Sequence, residues 1–292
     1  MDINELQNQP LYGVNVGIIY YFYEDPNKIK QVIQNIFKEY CELANSNFTF
    51  YRHNKDLGLN KLKVSAIDYF SNILNETDFT QTQHLLFTDA SKENLQSSKV
   101  EVMLRTIKDE YLCKTPNWIY FEISPEVPYS EILDFIKQSF YCHTYHYACC
   151  NYVLSQNDHL VPKSVSEAIK LLKQTNTIND CYSILTNPYF LKGLENGIDG
   201  ANFVQVLSKK IYDIIGFNSI MDMSGKDHIY HEFGEDYVIL MLSDERLPNT
   251  DDEFLYGYKR LHKLLKPIIA DVKRPQMYWK PDEWDKWRNR LE

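Results

Sequence analysis

The sequence contains no CxxC pair, no GxGxxG and no GxxxxGK(S/T), and it has only ten glycines in 292 residues. Phosphate-cradling loops need closely spaced glycines to bring backbone N–H groups onto the anion, so nucleotide-dependent catalysis is disfavoured. The six cysteines (Cys41, Cys113, Cys142, Cys149, Cys150 and Cys181) are too sparse for a secreted disulfide scaffold and read as reduced thiols. No apolar run approaches the roughly 18 residues that a membrane helix needs. The opening MDINELQNQP has neither the positive start nor the apolar centre of a signal peptide, so a cytoplasmic protein without membrane contact is expected. Positive charge is also short: 31 Lys and Arg face 40 Asp and Glu, a net of −9. Direct nucleic-acid binding loses its electrostatic basis, and a basic partner gains one.

What is present suffices for a well-folded globule. With 44% hydrophobic residues, a chain of this length buries about three quarters of its unfolded surface. Its 22 tyrosines and 15 phenylalanines suit an aromatic core first and a contact surface second.

Val14 to Tyr23 is rich in β-branched and aromatic residues and reads as a strand, stopped by Asp25-Pro26, an N-cap followed by proline. Ile29, Val32, Ile33, Ile36, Phe37, Tyr40 and Cys41 then form one helical stripe, and Asn47 to His53 a second strand. Ser65-x-x-Asp68 opens a short helix through Leu74, and Val100 to Ile107 and Trp118 to Ile123 read as strands, with no assignment for Asn75 to Ser98. A long helix with two apolar stripes is expected from Ser130 to about Leu154. Further helices are expected from Pro162, over Phe203 to Ile215 closed by Gly216, and from Thr250 to just before Pro267. A loop is expected over Asn187 to Gly200, and a hairpin joins Asp227–Phe233 to Asp236–Ser243 through Gly234. The class is therefore α+β, an antiparallel sheet with packed helices, in a single domain over 1–292. A strand, strand, helix order at 100–154 and again at 227–266 admits two similar lobes, 1–157 and 158–292.

Two chemistries compete in the residues. On the expected long helix, His143, His146 and Cys150 fall at i, i+3 and i+7 and share a face, a partial zinc set. Cys142 beside His143, or Cys150 near His146, also admits a thiolate–imidazolium pair. The spacing matches no standard zinc module and the flanks match no cysteine-hydrolase signature, so no catalytic residue, metal or cofactor is assigned and a Cys/His-dependent hydrolase or metalloenzyme stays as the alternative. His228-x-x-His231 lies on an expected strand, where that spacing sends the rings to opposite faces.

Charge carries the second reading. Residues 222–254 hold ten acids (Asp222, Asp227, Glu232, Glu235, Asp236, Asp244, Glu245, Asp251, Asp252 and Glu253) against Lys226 and Arg246, a local net of −8. Such a face favours encounter with a basic partner, although Asp251, Asp252 and Glu253 also complement the positive end of the helix that Thr250 opens. At the C-terminus, Trp284, Trp287 and Leu291 recur at i, i+3 and i+7 behind Pro281-Asp282, an amphipathic helix that docks its tryptophans on the core.

Three stretches, GIDGANFVQVLSKKIYDIIGF, DYVILMLSDERLPNTDDEFLYGYKRLHKLLKPI and EWDKWRNRLE, resemble the type VI secretion immunity family of bacteria. The corresponding features fall on Phe203, Ile215-Gly216, Val238 to Leu242, Pro248 to Asp252, Tyr258-Lys259-Arg260 and Leu265-Lys266-Pro267. Thr250 stands where the family pattern has a glycine before the loop's acid, and the first half of the chain is similar only in general design. The resemblance implies a non-enzymatic, cytoplasmic immunity protein that occludes the toxic domain of a type VI effector, with a nuclease as the first expectation. Asp244, Glu245, Asp251, Asp252 and Glu253 are then the expected toxin-binding residues, because a groove built to hold phosphates offers Lys and Arg to an acidic loop. A structural or adaptor role, with self-association, is a third reading.

Overall fold

The computed structural model describes residues 12–54, 56, 58–89, 98–107, 115–143, 145–156, 170, 172, 194–226, 228–247, 252–270 and 280–292. Its centre is a ten-stranded antiparallel sheet. In chain order the strands are β1 (Tyr12–Phe22), β2 (Phe50–His53), β3 (Asn60–Lys61), β4 (Gln83–Thr88), β5 (Lys99–Leu104), β6 (Asn117–Ile123), β7 (Tyr147–Gln156), β8 (Val204–Ser208), β9 (Tyr230–Phe233) and β10 (Tyr237–Met241). They lie in the order β3-β2-β4-β5-β6-β1-β7-β8-β10-β9. The described α-helices are α1 (Lys30–Leu43), α2 (Ala66–Glu76), α3 (Tyr129–Cys142), α4 (Lys209–Ile215), α5 (Phe217–Met223), α6 (Asp252–Leu265) and α7 (Pro281–Arg288). The expected α+β class with an antiparallel sheet is what the chain adopts.

One face of the sheet is covered by α1, α2 and α3. Tyr20 of β1 packs against Phe135 and Phe140 of α3, Tyr40 of α1 stacks on Phe121 of β6, and Phe37 meets both Phe70 of α2 and Phe87 of β4. These rings fill the core that the tyrosine and phenylalanine content anticipates, at the centroid spacings aromatic pairs prefer. Over β7 and β8 the opposite face is closed by the segment 194–202 and the C-terminal helices. There Tyr147 and Asn202 both donate to Asp199, Tyr258 of α6 donates to Asn151 at 3.0 Å, and Arg288 of α7 reaches the Asp199 carbonyl at 3.3 Å. As expected, α7 buries Trp284 and Trp287, and the Arg290 guanidinium lies 4.0 Å from the Trp287 ring centroid.

On that same face of the central strands lies a charged group with no access to solvent. Glu122 of β6 is 0% exposed and accepts hydrogen bonds from Asn15 at 3.2 Å, Tyr120 at 2.9 Å and Ser155, with the Lys99 ammonium at 3.6 Å. A buried carboxylate is tolerated only when its lone pairs are met by donors and a counter-charge, and here residues of β1, β5, β6 and β7 supply them together. Gly17 makes the arrangement possible: a Cβ there would sit 2.6 Å from Val153 Cγ1 and 3.0 Å from the Tyr120 hydroxyl, which crosses over the glycine toward Glu122.

The two largest differences from the sequence reading share one cause. The helix expected through Leu154 ends at Cys142, His143 turns to φ −162° and ψ 135°, and β7 takes its place. Likewise the Phe203–Ile215 helix divides into β8 followed by α4. Strands buried on both faces show no alternation, and a continuous apolar run also satisfies a helical template. β4, inside the stretch left unassigned, has adjacent Leu85 and Leu86 both buried, which defeats a period-two search in the same way. The hairpin at Gly234, the helix before Pro267 and the first strand–helix pair stand where expected. Pro162, Asn187 and the boundary near 157–162 lie outside the described residues.

Replacing Glu122 with Leu leaves Lys99 buried without its carboxylate and removes the acceptor from three donors. The expected loss is about 3–5 kcal/mol of unfolding free energy by urea titration, whereas Glu122→Leu combined with Lys99→Met is expected to lose clearly less. Equal losses in the single and double variants would show that the ion pair contributes nothing to the network.

Candidate functional site

The acidic run 222–254 does not form one continuous patch, because β10 separates its parts. Glu235 and Asp236 lie in the turn before β10, and Asp244 and Glu245 follow it at the opposite end. Glu232 on β9 is already paired with Lys137 of α3 at 2.5 Å. Asp244 and Glu245 are exposed and form no ion pair among the described residues. Their turn is held by the Ser243 hydroxyl, which accepts from the N–H groups of Glu245 and Arg246, and by Tyr129, which donates to the Ser243 carbonyl at 2.9 Å. Asp251 lies outside the described residues. Asp252 and Glu253 open α6, the position where carboxylates complement a helix dipole, and Arg246 stacks over Phe254 in the first turn of that helix at 5.5 Å.

The Cys-His helix is corrected by the fold. Cys142 is exposed at the end of α3, His143 and His146 flank the turn, and Cys149 and Cys150 are consecutive residues of β7, whose side chains point to opposite faces. The shared helical face that zinc binding required does not exist, and no metal-ligating cluster occurs among the described residues. Burial pushes the Cys149 and Cys150 thiols well above their ordinary range, which opposes formation of a nucleophilic thiolate.

A site invisible in the sequence lies where β1, β7 and β8 end. A cavity of about 490 Å³ opens there, with Tyr23, Tyr145, His146 and Ser208 among its walls and Glu195 and Asp236 at its rim. Tyr145 is 0% exposed and Ser208 8%, yet neither the Tyr145 hydroxyl nor Ser208 Oγ has a hydrogen-bond partner, and the Tyr23 hydroxyl is also buried and unpaired. Ser208 occupies the N-cap of α4 without capping it. His146 donates from Nε2 to the Leu194 carbonyl at 2.7 Å, and burial lowers the pKa of the ring. Burial opposes ionisation of the neighbouring Glu24, but His143 and nearby backbone N–H groups outweigh it and hold the carboxyl below its usual value.

Behind this cavity, Asp199 joins Tyr147, Asn202 and the Cys149 sulfur, 3.7 Å away, in a closed polar junction. Burial pushes the Asp199 carboxyl up, against Tyr147, Arg288 and Asn202, which favour its charged form. The signal for both junctions was present in the sequence as polar residues interrupting apolar strands: Asn15, Glu122, Asn151 and Gln205. Which of them converge depends on strand order. A second groove, of about 680 Å³, lies along α6 and the C-terminus between Lys259, Lys263 and Glu292.

No protein-family model and no curated protein matches the sequence. Among solved structures the chain is similar to the Pseudomonas aeruginosa T6SS protein PA0821, with a TM-score of 0.75 at 11% identity, over 99% of this chain and 90% of that one. No helix among the described residues is long and apolar enough to cross a membrane.

Two measurements follow. In a Cys113→Ser/Cys181→Ser background, a thiol reagent is expected to modify Cys142 alone in the folded protein, with Cys41, Cys149 and Cys150 reacting only on unfolding; rapid labelling of Cys149 or Cys150 in the native state would contradict their burial. The second concerns Asp199. A carboxyl whose folded pKa is raised favours the fold while protonated, so its contribution is complete below about pH 4 and is lost as pH rises through the elevated value. Asp199→Asn is therefore expected to lose less stability than the wild type as pH rises from about 4 to 7, and parallel urea-midpoint curves would show that Asp199 does not titrate in this way.

At the resolution of architecture, then, this chain shares its fold with a type VI secretion system protein.

Proposed function

We propose that the chain is an immunity protein that binds and neutralises the toxic domain of a type VI effector, a nuclease acting in the cytoplasm, by occluding its substrate groove. The observation that carries this reading is the likeness to a type VI secretion protein across 99% of the chain. The exposed carboxylates of Asp244 and Glu245, held on a hydrogen-bonded turn, support it, since a basic groove that binds phosphates is complementary to them. The proposal assigns Asp251, Asp252 and Glu253 to the same contact. An inhibitor of this kind needs a rigid surface with a few anchors and complementary charge, and no reacting group of its own. The Cys/His enzyme reading loses its geometric basis with the helix on which it stood.

Pull-down from the producing cell, followed by mass spectrometry and a toxicity-rescue assay, tests the proposal. A stoichiometric partner whose toxicity this protein suppresses is expected. Asp244→Lys with Glu245→Lys is expected to weaken that complex about tenfold or more, mainly by slower association and most strongly at low salt. Unchanged neutralisation by this variant would remove the acidic turn from the interface, and the absence of any partner would remove the immunity reading itself.

A further inference from the structure

The two edges of the sheet are finished differently. At one, β3 is two residues long, both exposed, and one of them is Lys61, the usual means of keeping an edge from pairing with another chain. At the other, β9 is four residues long and half-buried, has neither lysine nor proline, and its Glu232 is already held by Lys137. The bond from the Gly234 N–H to the Tyr237 carbonyl and the register from Phe233↔Val238 to Tyr230↔Met241 make Tyr230 and Glu232 the hydrogen-bonded partners of β10. The N–H and C=O groups of His231 and Phe233 therefore point away from β10, and they have no hydrogen-bond partner among the described residues. Beside this open edge lies apolar surface. Phe217 and Met221 fall at i and i+4 on α5 and are 53% and 43% exposed, whereas Ile220 of the same helix is buried. The Phe217 ring lies 4.9 Å from that of Phe233, which joins the exposed face of α5 to β9. Unpaired backbone groups next to exposed apolar side chains are what strand-adding interfaces use, the first for affinity and the second for selectivity.

Charge selects the occupant. From α4 through the turn after β9, residues 209–236 hold six acids and three lysines. The lysines are engaged: Lys209 lies 3.1 Å from Asp213, and Lys210 and Lys226 donate to the carbonyls of Glu195 and Asp222. Asp222, Glu235 and Asp236 are exposed and form no ion pair among the described residues. A second copy of the chain, itself of net charge −9, would set one acidic edge against another, which is destabilising. We infer that β9 is a docking edge to which an extended, basic segment of a partner protein adds as a further strand. The segment's main chain bonds to His231 and Phe233, its apolar side chains rest on Phe217 and Met221, and its cations meet the exposed acids. The inference deepens the immunity reading and rests on it for the identity of the partner, although the preference of the edge for a basic strand is measurable without one.

The test uses the full chain and three blocked octapeptides: alternating lysine and valine, alternating glutamate and valine, and the lysine peptide N-methylated at every residue, which has no main-chain donor. Titrations are followed by the amide signals of His231 and Phe233 and the methyl signal of Met221 in NMR spectra. The lysine peptide is expected to shift these signals, to saturate and to slow amide exchange at His231 and Phe233, with each of the other two binding about tenfold more weakly. His231→Pro removes an outward donor and leaves the β9–β10 ladder its bonds, and Met221→Lys places a repelling charge on the exposed face of α5. Each is expected to weaken the lysine peptide about tenfold, Met221→Lys without lowering the thermal midpoint, so that this variant carries the test where His231→Pro fails to fold. Equal binding of the glutamate or the N-methylated peptide, no response of the three signals, or a dimer that protects the His231 and Phe233 amides without peptide would overturn the inference. If the lysine peptide binds as expected but no toxin partner exists, the immunity reading fails and the docking edge stands. If a toxin is captured and Met221→Lys binds it as tightly as the wild type, the edge assignment fails and the immunity reading stands.

Discussion

Strand β1 has no solvent side. It is hydrogen-bonded to β6 along one edge and to β7 along the other, and its residues from Gly13 to Phe22 are buried on both faces of the sheet. Every strand beyond it, in either direction, is positioned relative to this one. The requirement that follows is strict, because a polar side chain on β1 or its neighbours must find its partners inside the protein. Asn15 meets this requirement through Glu122, which draws in Ser155, Tyr120 and Lys99 as well. A one-residue slip of any of these strands would send its polar group to the aromatic face, so the network specifies register as well as satisfying charge.

The same central sheet gives the molecule rigid ends. Two of the turns that carry exposed acids are fixed to buried strands: the Ser243 turn is tied to Tyr129 of α3, and the Gly234 turn is braced by the hairpin bond from its N–H to the Tyr237 carbonyl. A surface of this kind loses little conformational freedom on meeting a partner, which favours tight and selective association. At the other end of β10, the walls of the cavity come from residues far apart in sequence, Tyr23, Tyr145 and Ser208 among them, held together because β1, β7 and β8 are neighbours.

Local chemistry was legible wherever a single element decides its own structure. Asp25 followed by Pro26 gives a 3-10 turn in which the Asp25 carboxylate accepts from the Asn27 N–H, as an N-cap should. Ser65 caps α2 through the Asp68 N–H, Gly234 turns the β9–β10 hairpin, and Trp284, Trp287 and Leu291 face the core. The run from Tyr147 to Gln156 was not legible as a strand. Its residues are apolar or paired on both faces, so nothing in their order distinguishes a two-residue repeat from a helical one.

The sequence by itself determined the α+β class, the capped helices, the scarcity of phosphate-binding glycines and the concentration of acid between residues 222 and 254, because each depends on neighbouring residues or on composition. Only the tertiary structure decided that Glu235 and Asp236 fall at the opposite end of β10 from Asp244 and Glu245, that Cys149 and Cys150 are separated by the plane of a sheet, and that Glu122 and Asp199 each become the centre of a closed polar junction. These outcomes depend on which strands become neighbours. That choice is made by the burial of whole faces and the pairing of backbone groups across large sequence separations, and no local pattern encodes it.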